Sequence, residues 1–455
     1  MFTKNKKNFF IASYKVVVLL FLSLTLFFGR SFMGLYIFSL RIGEYLIGFS
    51  LILLIYLLIF QKRYVRKFDN KLYITVNLLI ITFFVFAFLK GDNLLNPYVF
   101  RSSMYIWVIS FISLGLLFFK LLSINKNLSF FFNLLLFMTY IMSVFVYPEI
   151  FANFFKEYAD KFDYLKASEI MLVFVFAVYI NKTVYSSKLS FFIFNLQSFL
   201  FLPLFLVMSR GAALGLVLFY FLEFYLNRKI ITENIPKFLS VLIASVLLFV
   251  LSSYFIVEDE VVEDEGFSYV VQDVLDTKNT STDSFFSFYS HSGRLFSQDG
   301  NINFRLQIWQ DVFNYSHNGN VYLPRKGFTK LDYYKGYEQI IGTNYSNKIP
   351  TMNNPDYQGL DRTNESVHNY LINIYARGGL IHLVLFMLFF YYLFRFKSIE
   401  NKLYYVSIVT PLVVVSMFDA SMDSPNYAFA FFFLIGTFLS NVEFDYYKNS
   451  DQGVI

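Results

Sequence analysis

Long apolar runs alternate with short polar connections along most of the chain. A helix needs about 20 mostly apolar residues to cross a bilayer, and we count twelve runs near that length. The runs are apolar on every face, which is typical of helices in contact with lipid. Their approximate limits are 13–29, 43–60, 72–89, 104–122, 128–147, 167–181, 189–208, 211–227, 237–256, 368–394, 403–418 and 425–440. This pattern predicts an all-α fold, a polytopic transmembrane helix bundle of about 12 spans.

The positive charges between the runs predict an orientation. Lys4, Lys6 and Lys7 precede the first run as in a signal peptide, but no small-residue cleavage site follows, so we expect a retained span. With the N-terminus inside, the connections predicted to be cytoplasmic hold 20 of the 38 Lys and Arg residues, and the short outward connections hold 8. Because positive charge concentrates on the cytoplasmic side, both termini are predicted to be cytoplasmic.

One outward connection, residues 257–367, is 111 residues long and polar. It holds 16 acidic and 9 basic residues, and its first acids, within 258–265, are typical of a solvated surface. Such a connection is too long for a passive link. We expect a small, mostly helical and irregular cap between spans 9 and 10. The predicted organisation is spans 1–9 in residues 1–256, the cap in 257–367, and spans 10–12 with a tail in 368–455.

The amino-acid composition excludes several classes of protein and of site. The chain is 56% hydrophobic and 15% charged, whereas soluble proteins are about 25% charged, so an ordinary soluble or disordered protein is excluded. The absence of Cys excludes disulfides, Cys-ligated zinc, iron–sulfur clusters and thiol nucleophiles. His291 and His317 lack the spacing of metal ligands, so we predict no metal site and no cofactor.

The first candidate site is Ser209-Arg210-Gly211, an outward turn of almost no length between two apolar runs. Ser209 is a favourable N-cap, so the positive end of the next helix and Arg210 would both face the outer boundary. Small residues there allow close approach, which favours binding of an anion such as phosphate. The alternative is that the Arg210 side chain only reaches from the apolar region to the membrane–water interface and binds no ligand.

The second candidate site lies where the long connection enters the tenth span. Glu365 and His368 are three residues apart, so they share a face if the helix has begun. Near a helix N-terminus the dipole disfavours imidazolium, so a neutral His368 is predicted to act as a general base. Asn369 could orient it or a substrate hydroxyl. The alternative is a histidine held in an interfacial hydrogen-bond network.

The third candidate site is in the cap, where Arg305 and Trp309 are four residues apart and share a helix face. Arg305 would close on a phosphate or sugar, with Trp309 as a platform for the sugar. The alternative is local packing of an arginine over an indole.

Further polar residues are predicted at the same depth, the outer membrane–water boundary. Arg30, Arg41 and Arg101 could each complete an anion site, and Asp419 or Asp423 could hold a sugar hydroxyl. Charged groups at membrane depth are costly and usually functional.

Three short patches together resemble the O-antigen ligase and O-antigen polymerase superfamily. They are Ser209-Arg210-Gly211-Ala212, Arg305 with Trp309, and His368-Asn369-Tyr370-Leu371 followed by Arg377-Gly378-Gly379-Leu380. The order of the patches, the span number and the outer loop between the ninth and tenth spans also match. In architecture the resemblance extends over most of the chain. In sequence it rests on the three short patches.

The resemblance implies a metal-independent, inverting glycosyltransferase of the membrane GT-C type. It would lie in the bacterial inner membrane, with its active site and cap at the periplasmic face. The implied partners are an undecaprenyl-pyrophosphate-linked glycan donor, a glycan acceptor, membrane lipid and a chain-length regulator, with no nucleic acid.

Residue by residue, the resemblance implies that Arg210 and Arg305 hold the pyrophosphate, and Arg30 and Arg101 are further candidates for the same role. His368 would be the catalytic base, supported by Glu365. The candidate substrate-binding residues are Trp309, Asn369 and Arg377.

Two other functions compete with an O-antigen polymerase. A ligase would pass the glycan to lipid A–core in lipopolysaccharide biosynthesis; we favour the polymerase because polymerase sequences vary widely. A lipid-linked glycan flippase or transporter would place charges near the bilayer midplane and often show internal repeats. The spans here are nearly free of charge at mid-membrane, and no repeat is visible.

Overall fold

The structure of the chain is a computed structural model. It describes residues 2–60, 70–121, 124–145, 147–257, 288–291, 294–298, 300–318, 339–350, 363–395, 399–419, 422 and 424–450. The described part is dominated by helices, in agreement with the predicted all-α bundle.

The helices vary from single turns to long membrane-length segments. In chain order they are α1 (Phe2–Met33), α2 (Ile42–Phe60), α3 (Asn70–Leu89), α4 (Pro97–Ser102), α5 (Met104–Trp107), α6 (Ile112–Leu121), α7 (Lys126–Val144), α8 (Glu149–Tyr158), α9 (Ala167–Val184), α10 (Ser187–Met208), α11 (Arg210–Leu226), α12 (Arg228–Glu233), α13 (Ile235–Val257), α14 (Gly300–Asn318), α15 (Tyr370–Arg395), α16 (Ile399–Asp419) and α17 (Pro425–Ser450). A 3₁₀ turn, Val108–Phe111, joins α5 to α6.

Six short strands form three antiparallel pairs among the described residues. They are β1 (Tyr36–Ile37) with β2 (Leu40–Arg41), β3 (Phe288–His291) with β4 (Arg294–Ser297), and β5 (Ile349–Pro350) with β6 (Thr363–Asn364). The pattern of apolar runs predicted none of them, because the pairs are too short to bury a face of their own.

Seven of the described helices are long and apolar enough to cross a membrane, so the chain is a membrane protein. These segments are Ser13–Met33, Lys71–Leu89, Lys126–Val144, Ala167–Val184, Ser187–Met208, Ile235–Ile256 and Tyr370–Arg395. Four shorter apolar helices are Ile42–Leu57, Met104–Phe118, Leu403–Phe418 and Pro425–Leu439. The remaining predicted run forms α11, which is 17 residues long and includes Arg210 and Glu223. Within the described ranges, length and composition therefore support seven spans, and the count of twelve stays a prediction.

The bundle is built around α9 and the first half of α17, which are buried on nearly every face. Gly115 and Gly436 bring α6 and α17 into backbone contact, because a Cβ at either position would overlap the backbone of the other helix. Small residues permit this close approach between apolar helices. In contrast, α13 exposes most of its surface, as expected for a helix that faces lipid.

Two helices are broken at glycines. Gly29 in α1 and Gly379 in α15 have positive φ angles of 53° and 65°, which side-chain-bearing residues rarely adopt. The carboxylate of Glu169 occupies the space beside Gly29, where a Cβ would overlap it. Each break interrupts a membrane helix and leaves nearby backbone groups available for other partners, such as the Arg377 carbonyl, which accepts from Lys90.

Part of the long connection is described, and it packs on the bundle. The pair β3–β4 packs on α14 through Arg294, whose guanidinium lies 2.9 Å from Gln307 and 2.7 Å from Asp311. The segment 342–347 docks between α3 and α15, where Lys90 donates 2.9 Å hydrogen bonds to the carbonyls of Thr343 and Arg377. We expected a mostly helical and irregular cap; the described part of the connection contains α14, a short helical segment at 339–341 and two strand pairs. The acidic run at 258–265 lies outside the described residues.

Candidate functional site

A cavity of about 460 Å³ opens at one end of the bundle, which we call the cavity end. It lies where the broken part of α1, the starts of α2, α9 and α17, helix α4 and the entry to α15 meet. The charged and polar side chains that line it come from distant parts of the sequence: Arg30, Tyr36, Arg41, Glu44, Tyr98, Arg101, Ser102, Asp160, Lys166, Ser168, Glu169, Glu365, Ser366, His368, Arg377, Ser424 and Asn426.

Three of the lining arginines form a network with two carboxylates. Arg41 lies 2.8 Å from Glu44 and 2.9 Å from Asp160, so it joins the start of α2 to the segment before α9. Glu44 also contacts Arg101 at 3.1 Å, and Asp160 contacts Arg30 at 3.8 Å. The network holds three guanidinium groups on one wall of the cavity.

The charge of Arg41 is secured by its partners. Burial alone would lower the pKa of Arg41, but its hydrogen bonds and the negative charges of Glu44 and Asp160 raise that pKa above its ordinary value. The guanidinium is therefore fixed as a cation.

Arg377 differs from the other arginines in its surroundings. It is 1% exposed and lines the cavity two residues before the break in α15. Its guanidinium donates to the carbonyls of Asn347 and Glu365 and, at 3.2 Å, to the hydroxyl of Tyr98. Among the described residues it forms no ion pair, and its Nε has no hydrogen-bond partner. A buried cation without a carboxylate is costly, so the cavity wall at Arg377 is suited to an anion.

His368 lines the same cavity in an uncommon backbone conformation. Its φ angle is 52°, in the left-handed region, where a residue with a Cβ is strained by about 1–2 kcal/mol. Trp309 of α14 donates its indole N–H to the carbonyl of Val367 at 2.8 Å, directly before His368. The ring of Phe304 lies 5.6 Å from the imidazole, centre to centre. The strained histidine is thus held from the side of the cap, as strained residues at functional sites often are.

The condition for a shared helix face of Glu365 and His368 is not met. Helix α15 begins at Tyr370, and both residues precede it. Glu365 follows the short strand β6 and is exposed, and its side chain still lines the cavity with His368. The two residues are brought together by the turn into α15 and not by one helix face.

Five of the nine predicted site residues line the cavity: Arg30, Arg101, Glu365, His368 and Arg377. Among the described lining residues the other four are absent: Arg210, Arg305, Trp309 and Asn369.

Each of these four residues lies elsewhere in the structure. Arg210 is exposed at the start of α11, where Ser209 caps the helix as predicted. Asn369 caps α15 by accepting from the N–H of Ile372 at 3.0 Å, and it donates to the carbonyl of Met417. Arg305 and Trp309 lie on α14, and Trp309 supports the histidine turn from outside the cavity.

Arg210 and His368 nevertheless approach the same end of α16. Gly211, next to Arg210, packs against Phe418, while Asn369, next to His368, bonds to Met417. Both candidate patches therefore lie at the cavity end of the bundle.

Several lining residues were not predicted from the sequence. Glu44 follows Arg41 by three residues at the start of an apolar run, and this spacing would have indicated an ion pair at the membrane boundary. Glu169 is an acidic residue at the start of an apolar run, which would have suggested the first turn of a helix. For Asp160 and Asn426 the sequence offers no signal, because each acts through partners more than 100 residues away.

The predicted Asp419 and Asp423 lie at the α16–α17 turn. The side chain of Asp419 and the whole of Asp423 are outside the described part. Among the described residues, no group of three His, Asp or Glu side chains is close enough to hold a metal ion.

No protein-family model matches the sequence, and no curated protein matches it either. The cavity residues combine four arginines, a lysine, four carboxylates and one strained histidine around a space large enough for a diphosphate and part of a sugar.

Proposed function

We propose that this chain is a metal-independent glycosyltransferase of the membrane-embedded type, acting as an O-antigen polymerase. It would transfer a glycan from undecaprenyl pyrophosphate to a hydroxyl of an acceptor sugar. The observation that carries the proposal is the convergence of Arg377, buried and without a carboxylate partner, with the strained His368 on one cavity.

The proposed topology has twelve spans, with both termini cytoplasmic and the cavity at the periplasmic face of the inner membrane. The distribution of Lys and Arg between the connections supports it. It is also supported by the cavity residues, which lie at the ends of apolar helices or in the connections between them. The polar cavity would then lie just beyond the hydrocarbon layer, beside the headgroups of the lipids.

The proposed anion site consists of Arg30, Arg41, Arg101 and Arg377. Breaking the bond between the sugar anomeric carbon and the pyrophosphate develops negative charge on the leaving group. Guanidinium forks fixed in advance by Glu44 and Asp160 would stabilise that charge without reorganising. Arg210 and Arg305 do not line the described cavity, so the proposed anion site does not include them.

The proposed base is His368. Its imidazole would accept the proton of the acceptor hydroxyl as the oxygen attacks the anomeric carbon, and Glu365 would stabilise the imidazolium that forms. Attack from the side opposite the leaving pyrophosphate would invert the anomeric centre. The released products are the extended glycan and the lipid pyrophosphate.

The proposal is tested with purified protein reconstituted in vesicles, given a polyprenyl-pyrophosphate-linked oligosaccharide as donor and acceptor. We expect His368→Ala to lower the transfer rate about 10²–10⁴-fold, the range for loss of a general base. Arg377→Lys should lower it about 10²-fold, because Lys keeps the charge but loses the planar fork. Arg228→Lys, at the opposite end of the bundle, is the matched control and should leave the rate unchanged.

Full activity of His368→Ala would remove the general-base assignment, and full activity of Arg377→Lys would remove the anion site. The product of a deletion strain separates polymerase from ligase. Single repeat units attached to the core indicate a lost polymerase, and unattached long chains indicate a lost ligase.

A further inference from the structure

The hairpin β1–β2 connects α1 to α2 at the mouth of the cavity. Its base is fixed, because Leu35 pairs with Ala159 and the backbone N–H of Ile42 donates to the carbonyl of Leu35 at 2.9 Å. Within the hairpin Tyr36 lies directly opposite Arg41, and both line the cavity. The charged wall of the cavity is therefore continuous with the hairpin.

The tip of the hairpin holds an aromatic residue in an unfavourable position. Phe38 is the first residue of the two-residue turn and has a φ angle of 55°. Such turns favour Gly or Asn there, because a Cβ is strained at positive φ. The Phe38 side chain is also 96% exposed, so packing within the described protein does not offset the strain.

Three more residues of the hairpin expose apolar surface, since Tyr36, Ile37 and Leu40 are each more than two-fifths exposed. Side chains alternate between the two faces of a strand, so Tyr36 shares the cavity face with Arg41, and Ile37 and Leu40 lie on the other face. The guanidinium groups of the cavity therefore adjoin exposed hydrocarbon on the hairpin. This arrangement matches an amphiphile with an anionic head. This complementarity favours a single amphiphilic ligand as the partner of the hairpin. Contact with bulk membrane lipid would require no charged cavity next to the apolar residues.

We infer that the β1–β2 hairpin binds the hydrocarbon tail of a lipid diphosphate whose head occupies the arginine-lined cavity. The inference rests on the proposed function and adds the path of the tail, which leaves the cavity past Tyr36 and lies along Phe38. Burial of Phe38 against the tail offsets the strain of its backbone.

The test compares two ligands that share the diphosphate and differ in the tail. Binding of geranylgeranyl diphosphate and of inorganic pyrophosphate is measured on the full-length protein in phospholipid nanodiscs. Phe38→Gly relieves the backbone strain, so it leaves the hairpin folded while it removes the aromatic ring. Phe221→Ala, which removes an exposed phenylalanine on α11 outside the cavity lining, is the matched control.

We expect Phe38→Gly to weaken binding of geranylgeranyl diphosphate about tenfold, as expected for loss of one buried phenyl group, and to leave binding of pyrophosphate unchanged. Phe38→Leu should retain most of the affinity, and Phe221→Ala should change neither ligand.

Three results would overturn the inference. Equal weakening of both ligands would mean that the hairpin only shapes the head site. Unchanged binding of both ligands would mean that Phe38 contacts bulk phospholipid only. Failure of the unmodified protein to bind either diphosphate would overturn the proposed function, and the tail site with it.

Discussion

At the scale of single residues, two cavity arginines lie next to breaks in their own helices. Arg30 directly follows Gly29, and Arg377 lies two residues before Gly379. At the first break, Glu169 accepts the backbone N–H of Arg30 at 2.9 Å and that of Lys166 at 3.0 Å. Glu169 thus accepts a backbone N–H at the break in α1 and another at the start of α9, so it fixes the backbone of Arg30 against α9.

Gly29 is the residue on which this arrangement depends. We expect Gly29→Ala to destabilise the protein by at least about 2 kcal/mol, because the methyl group would overlap Glu169 at a positive φ. Thermal unfolding of the detergent-solubilised protein measures the effect.

The matched control is Gly48→Ala in α2, where no described atom lies within 4 Å of the added methyl group. Alanine is the better helix former, so this variant should be neutral or slightly stabilising. Equal melting temperatures for the two variants would contradict the described geometry at Gly29.

At the scale of elements, α14 acts as a support for the histidine turn. The residues Ile308 and Val312 of α14 pack with Val367 and Ala376 in a small core of their own, separate from the main core of the bundle. The hydrogen bond from Trp309 to Val367 adds a directional contact next to the strained His368. The cap therefore sets the position of the histidine, while the bundle sets the positions of the arginines.

Trp309→Phe tests this division because it keeps a large aromatic ring and loses the indole N–H. We expect a fall in transfer rate of about 3- to 10-fold, the equivalent of one lost hydrogen bond of about 1 kcal/mol. The donor KM should be little changed, since the arginines remain in place.

A matched change on the same helix is Phe313→Leu, which alters an exposed side chain whose ring contacts Tyr375 of α15. It should leave the rate intact. A large rise in donor KM for Trp309→Phe would indicate that the indole binds the sugar directly, as the sequence suggested.

At the scale of the whole molecule, the two ends of the bundle have different chemistry. The cavity end carries the open network of arginines and carboxylates. At the opposite end Lys182 donates to both oxygens of Glu223 at 2.7 Å, and Ser407 donates to the same carboxylate at 2.7 Å. This closed cluster ties α9, α11 and α16 together. A buried pair with all partners present acts as a structural tie that is costly to break.

The proposed topology places the cavity end outside, and the absence of cysteine makes it testable. A single cysteine at Leu95, exposed after α3, should react with a membrane-impermeant maleimide in right-side-out vesicles. A single cysteine at Lys229, exposed at the opposite end, should react only after detergent is added. The reverse pattern would place the cavity in the cytoplasm and exclude periplasmic transfer.

The sequence by itself determined the all-helical membrane class and the apolar segments. Both follow from local physics, since a helix satisfies its own backbone hydrogen bonds and the bilayer sets its length. It also singled out Arg30, Arg101, Glu365, His368 and Arg377, because polar side chains beside apolar runs are conspicuous in a linear pattern.

Only the tertiary structure decided which of these residues meet. Convergence of side chains more than 300 positions apart depends on how the helices pack, so Arg30 and Arg377 line the cavity while Arg210 does not. The positive φ of His368 and the carboxylate at Gly29 also have no local signature, because contacts from distant segments hold both in place.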